Sequence, residues 1–214
     1  MQSLRLVYAK CRKSETWFLW LMIRMAYYKL VQNKTLLLHQ NCSIKGIQNL
    51  HTSNTLEIGV RYVGFMHRKD RTLLNINGTL SILGKYSIGR GCRIDIGKDA
   101  KVTIGEGGYM NSNTKLIIMH SLAIGKECVI AWDCQFLDED FHTIAYEGKR
   151  DSGDGIVIGN NVWIANGVKI YKGTSIPNGC VLAANSVVKG VFEEENCLIG
   201  GHPAKIIRRD IQWN

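Results

Sequence analysis

The sequence has no C-x-x-C pair, no apolar run long enough to cross a bilayer, and a single acidic residue among its first fifty. Each absence excludes something. Seven cysteines, an odd number without close pairing, argue against a disulfide framework and for the reducing cytoplasm. Without C-x-x-C there is neither a zinc ribbon nor a thioredoxin-type motif. The most apolar stretch, Trp17 to Ile23, stops at Arg24, far short of the roughly 18 residues that a membrane span needs. It starts late, is crowded with aromatics and lacks a small-residue cleavage pattern, so it does not read as a cleavable signal.

The scarcity of acid near the start makes the charge lopsided. The chain of 214 residues carries a net charge of +9. Residues 1–50 hold Arg5, Lys10, Arg12, Lys13, Arg24, Lys29, Lys34 and Lys45 against Glu15 alone, whereas residues 51–214 are nearly balanced. A balanced main body argues against a nucleic-acid partner. At 45% hydrophobic residues the chain is not disordered, and its length fits one domain with an appendage.

Two textures divide it. In residues 1–50 the spacing of Trp17, Trp20, Leu21, Ile23, Tyr27, Tyr28, Leu30 and Val31 predicts a helix over 14–34, with Ser14 as N-cap. Residues 51–214 show no helical period. From Ile158 they divide into units of six: IGNNVW, IANGVK, IYKGTS, IPNGCV, LAANSV and VKGVFE. Position one is aliphatic, and position five holds Val162, Val168, Thr174, Cys180 and Ser186. The phase recurs upstream from Ile104 and from Ile124, with looser copies at Ile88 and Ile96. Such a period reads as an all-β solenoid: one short strand and one turn per unit, three units per triangular coil. Position five faces inward near a corner and must be small, so Cys92, Cys128, Cys134 and Cys180 are expected to be buried packing residues.

These [ILV]-G-x-x-[small]-x units resemble the hexapeptide-repeat acyltransferases, which implies a left-handed parallel β-helix with the N-terminal α-helical segment as an addition. The resemblance covers about residues 55–210. It is carried by IGNNVWIA at 158–165, LAANSVVKG at 182–190 and G-x-P-A-K-x-I at 201–207, which are similar to the acetyl-coenzyme A-binding half of sugar O-acetyltransferases. The stretch IAWDCQFLDEDFH, 130–142, is similar to the branch that modifies bacterial surface polysaccharides.

The period fails once downstream. After FLDEDF the chain runs through His142 into a polar segment, 143–157, and the repeat restarts at Ile158. That segment is expected to protrude, and expelled loops often carry function. Asp140 stands at position five, with Asp138 and Glu139 beside it. An inward carboxylate needs a partner. A histidine oriented by a carboxylate through one ring nitrogen is free to accept a proton at the other. Spacing of two or four residues offers Asp140 or Asp138 as the partner of His142, and the resemblance implies that His142 is the general base; a solvated loop histidine is the alternative. Asn113, 29 residues upstream, matches an asparagine that contacts the acceptor in related enzymes, or is a corner residue. Trp132 either stacks on a sugar or packs at a subunit interface. His120 is placed where it can approach His142.

For acetyl-coenzyme A, the resemblance implies a groove between subunits. There Ala165, Ala183 and Ala184 leave room for the pantetheine arm, Trp163 matches a recurrent aromatic, and Lys189, Lys205 and Arg208 meet phosphates. The galactoside enzymes carry Thr-Lys where this chain has Lys189-Gly190. The implied activity is acetyl transfer to a hydroxyl of a saccharide or lipid-linked glycan by a homotrimer without a metal. N-acetylation of an amino-sugar nucleotide is the near alternative. A γ-carbonic-anhydrase-like hydratase is the alternative of another class, disfavoured because no H-x-x-x-x-H pair is present. Residues 1–40 either cap the open coil or contact the inner face of an anionic membrane.

Overall fold

A computed structural model describes residues 4–142 and 155–213. The repeat folds as a left-handed parallel β-helix of triangular section, closed at its N-terminal end by two helices. Each coil contributes one strand to each of three parallel faces. Face A begins with Leu36–Leu38 and Leu56–Ile58, face B with Cys42–Lys45 and Thr72–Ile76, and face C with Leu50–Thr52 and Thr79–Ile82. Neighbouring strands in a face lie about 4.8 Å apart, so every inward side chain stacks on its equivalent one coil away.

Downstream the coil is eighteen residues, three units of six: Ile158 pairs with Ile176, Ile164 with Leu182 and Ile170 with Val188. All six are buried, as are Cys92, Cys128, Cys134 and Cys180 at position five. Burial pushes the Cys92 thiol up to about 12 and those of Cys128 and Cys134 to about 11, so these are inert packing groups. All seven cysteines are free and buried.

Upstream the coil is longer. Ile104 pairs with Ile124 and Ile96 with Ile118, twenty and twenty-two residues on. The extra residues sit in the corners, which is why the period of six reads loosely there. Ile58 pairs with Ile88, thirty residues on. Most of that excess is a loop over 59–71 at the corner between faces A and B, which the period does not announce. Gly59 opens it at a positive φ of 71°, where a Cβ would lie 2.1 Å from the ring of the buried His39.

The solenoid starts at Leu36, whose strand pairs with Leu56–Ile58. The expected division at 50/51 therefore falls inside it. The expected helix over 14–34 is also corrected. There are two helices, α1 (Leu4–Lys13) and α2 (Phe18–Gln32). Ser14 caps neither end of α2. It is buried between the helices, its hydroxyl 2.8 Å from that of Thr16, while Trp17 holds the N-cap position. The cause is tertiary. The buried guanidinium of Arg90 donates to the Ser14 carbonyl (2.7 Å), to Thr16 Oγ1 (3.2 Å) and to the Gly59 carbonyl (2.9 Å), pulling the chain out of helix and tying it to the long loop. Val7, Cys11 and Leu21 then form a small second core with Leu37 and Val60 over the coil's first turn.

Candidate functional site at two corners of the coil

Face B separates two corners that hold almost all of the expected site residues. The B/C corner is where the chain leaves the coil. Face B's strand Gln135–Leu137 pairs with Lys115–Ile118 above and Lys169–Tyr171 below, and residues 138–142 follow it outward. The strand resumes at Ile156, so the protruding segment expected at 143–157 lies largely outside the described residues. Ile130 pairs with Ile164, thirty-four residues on, where the coils downstream take eighteen.

The carboxylates at this corner are arranged differently from expectation. Asp138, not Asp140, is the inward one and is fully buried. Its two oxygens accept the backbone N–H groups of Met119 (2.6 Å), His120 (2.9 Å) and Ser121 (2.8 Å). It fastens the turn one coil above. Asp140 points outward and pairs with Lys172, Nζ to Oδ2 3.0 Å. The phase of six breaks at Asp138 because the chain departs there, so Asp140 no longer occupies an inward position five. Neither aspartate pairs with His142. That side chain is exposed and has no hydrogen-bond partner among the described residues.

The histidine that does meet a carboxylate is His120, whose Nε2 lies 2.8 Å from Glu139 Oε2. The Glu139 carboxyl is held below its ordinary range first by this contact and then by the amides of Phe141 and Asp140, which donate to Oε1. His120, Glu139, Lys172 and His142 thus share one corner. Lys172 could not be read from the sequence, because its place depends on the register of the coil below.

The A/B corner carries the remaining residues. Asn113 sits there at a positive φ of 63°, exposed, its N–H donated to the Arg90 carbonyl. It borders a cavity of about 340 Å³ lined also by Asp70, Arg71, Arg93, Lys115 and Asp133. Trp132 stands at the same corner one coil on and meets Phe65 of the 59–71 loop edge to face, ring centres 5.5 Å apart. Part of its surface is therefore used to hold that loop. Below it come Ala165, Ala183 and Ala184; the first two are half-buried and the third is exposed. The amides of Ala165 and Ala183 are spent on the coil, donating to Leu182 and Ile199. Lys205 faces Gly200 in the closing antiparallel strand, beside the alanines, whereas Arg208 faces Leu198 at the far side of face A. Lys189 follows Val188 at the B/C corner, apart from both. Trp163 lies on face A, covered in part by Trp213, ring centres 6.1 Å apart.

Asn113 precedes and His142 follows neighbouring strands of face B, so the two stand at opposite corners of that face. One chain does not bring them together.

Residues 155–190 match the bacterial transferase hexapeptide (six repeats) family model. A 24.8 kDa uncharacterized protein of the cps region of Klebsiella pneumoniae is 35% identical over 206 residues, 95% of this chain and 92% of that one. The polysialic acid O-acetyltransferase of Neisseria meningitidis is 35% identical over 125 residues, 57% of this chain and 55% of its own. Among solved structures, the polySia-specific acetyltransferase NeuO shares the fold with a TM-score of 0.50 at 24% identity, over 85% of this chain and 78% of that one. With its eighteen-residue coils, stacked aliphatics and small inward corner residues, the chain belongs to the bacterial hexapeptide-repeat transferase family, as one of its acyltransferases.

Proposed function

We propose that this protein transfers an acetyl group from acetyl-coenzyme A to a hydroxyl of a polysaccharide or its lipid-linked precursor, with His142 as general base. The observation that carries the reading is the placement of His142. It stands where the chain quits the coil, exposed, beside His120, Glu139 and Lys172. The polysaccharide acceptor named for the relative from Neisseria meningitidis supports the substrate class.

Bound acetyl-coenzyme A supplies the acyl group as a thioester. The small residues of the A/B corner fit its narrow arm, since Ala184 is exposed and Ala165 and Ala183 are half-buried. With their amides already committed, those two residues offer room rather than donors. Lys205 is placed to meet a phosphate at the same corner. Lys189, at the B/C corner, serves that role only from a second chain, while Arg208, at the far side of face A, lies at neither of the two corners. His142 takes the proton from the acceptor hydroxyl as the new C–O bond forms. It returns that proton to the sulfur as the C–S bond breaks, leaving ester and free thiol. The cavity beside Asn113 offers Arg71, Arg93 and Lys115 to the acceptor.

Asn113 and the alanines lie at one corner and His142 at another, so the site is composite. A ring in which the A/B corner of each copy meets the B/C corner of the next closes as a homotrimer with three equal sites. Thiol release from acetyl-coenzyme A in the presence of surface polysaccharides tests the activity. A chain with no release on any hydroxyl acceptor, or release only with amino sugars, contradicts this reading.

A further inference from the structure

We propose that α2 is a membrane-surface helix, its outward face docking on an anionic lipid bilayer. Helix α2 has two apolar faces. One, formed by Leu21 with Phe18, Met22, Met25 and Tyr28, is turned to the solenoid and its second core. The other carries Leu19, Trp20, Ile23, Tyr27, Leu30 and Val31, of which Leu30 is 85% and Leu19 76% exposed. At about 100° per residue the centres of these two faces lie half a turn apart. The first covers the open coil, so the second is directed away from it. A surface helix of a soluble protein has one apolar stripe, and a second one needs a second apolar medium.

The helix is too short to cross. No helix among the described residues is long and apolar enough to do so. The fifteen residues of α2 span about 22 Å. Such a helix lies in the plane of the bilayer surface with its apolar side sunk among the acyl chains.

Charge decides between occupants. The segment around the stripe holds eight cations and one acid. Lys10 is engaged by Glu57, and Arg24 by the carbonyls of His39 and Cys42. Arg5, Arg12 and Lys13 of α1 remain exposed, Lys34 is half-buried, and Lys29 is exposed on the other side of α2. Packed against its own copy, this surface would set like charges against each other. Against anionic headgroups the same cations are complementary. The exposed aromatics Tyr8, Trp17 and Trp20 suit the headgroup level. The proposal does not depend on the acyl-transfer reading.

The experiment is vesicle flotation of the full chain. Vesicles of phosphatidylcholine mixed with phosphatidylglycerol are compared with phosphatidylcholine alone. Binding is expected to the anionic vesicles and to weaken in about 1 M salt, where the screening length is about 3 Å. A Leu19→Ser/Ile23→Ser/Leu30→Ser variant should lower the partition coefficient by about a hundredfold or more, since three buried aliphatic side chains are lost from the contact. Arg5→Glu/Arg12→Glu should also lower it. These positions are exposed, so circular dichroism should be unchanged. Absence of binding to anionic vesicles, equal binding by the triple variant, or a change in that variant's oligomeric mass in lipid-free solution would each overturn the proposal. The last outcome would assign the stripe to a copy–copy interface.

Discussion

Glu139 Oε2 lies 2.8 Å from His120 Nε2 across two coils of the same corner, while the adjacent Asp138 spends both oxygens on the amides of Met119, His120 and Ser121. Two consecutive carboxylates thus fasten one turn, one through backbone and one through a side chain. The exit of the chain toward His142 is built on that fastening.

The proposed base His142 is told apart from its neighbour His120 by kinetics. His142→Ala should lower kcat/KM for acetyl transfer by about a hundredfold or more, the lower range for loss of a general base. His120→Gln keeps a hydrogen-bonding side chain toward Glu139 and should cost much less. Steady-state kinetics on both variants over a range of pH checks the assignment. The reverse order would make the His120–Glu139 pair the base.

Asp138→Asn should destabilise the protein without touching the reacting groups. The amide has one acceptor oxygen, and its NH₂ group would confront a backbone N–H. Losing hydrogen bonds to a buried charge costs about 1.5–3 kcal/mol each, so a loss of about 3 kcal/mol is expected after relaxation. The shift of the urea midpoint measures it.

Arg90→Met tests how the helical cap is held. The substitution leaves the carbonyls of Ser14 and Gly59 buried without their donor. A cost of about 3 kcal/mol is expected, since bonds to a charged group are lost and their partners stay desolvated. Amide exchange should speed first in α1 and around Gly59, with the downstream coils unaffected. Uniform loss of protection would contradict a local role.

His39 makes stability depend on pH. Its ring is fully buried, with Nε2 3.0 Å from Thr72 Oγ1 and Nδ1 accepting the Asn41 N–H. Burial first, then Arg90 and Arg24, push its pKa from 6.5 down to about 3. The folded form keeps the ring neutral while the unfolded chain takes up a proton below pH 6.5. Stability is therefore fully present above that pH and falls toward pH 3, at up to about 1.4 kcal/mol per unit. Denaturant midpoints at pH 7 and pH 5 should differ by this slope in the wild type. The difference should shrink in His39→Gln.

Much of the molecule was legible in the residues. Ile158, Ile164, Ile170, Ile176, Leu182 and Val188 announced the coil, because a solenoid repeats one local environment and so repeats one residue choice. The small residues at position five announced the inward corners. The upstream coils were harder to read, since twenty and twenty-two residues per turn place the slack in corners that tolerate any polar residue. Ser14 misled because it has the chemistry of a cap, while the residue that governs it, Arg90, lies 76 positions away.

By itself, then, the sequence determined the period, the core and the point at which the chain leaves the coil, since these depend on neighbours within one or two units. Only the tertiary structure decided which carboxylate turns inward, which one meets a histidine and which corner each candidate residue occupies. Those outcomes depend on register between coils. One residue of slack in a corner changes what meets across it, while leaving the local pattern of apolar and polar positions untouched.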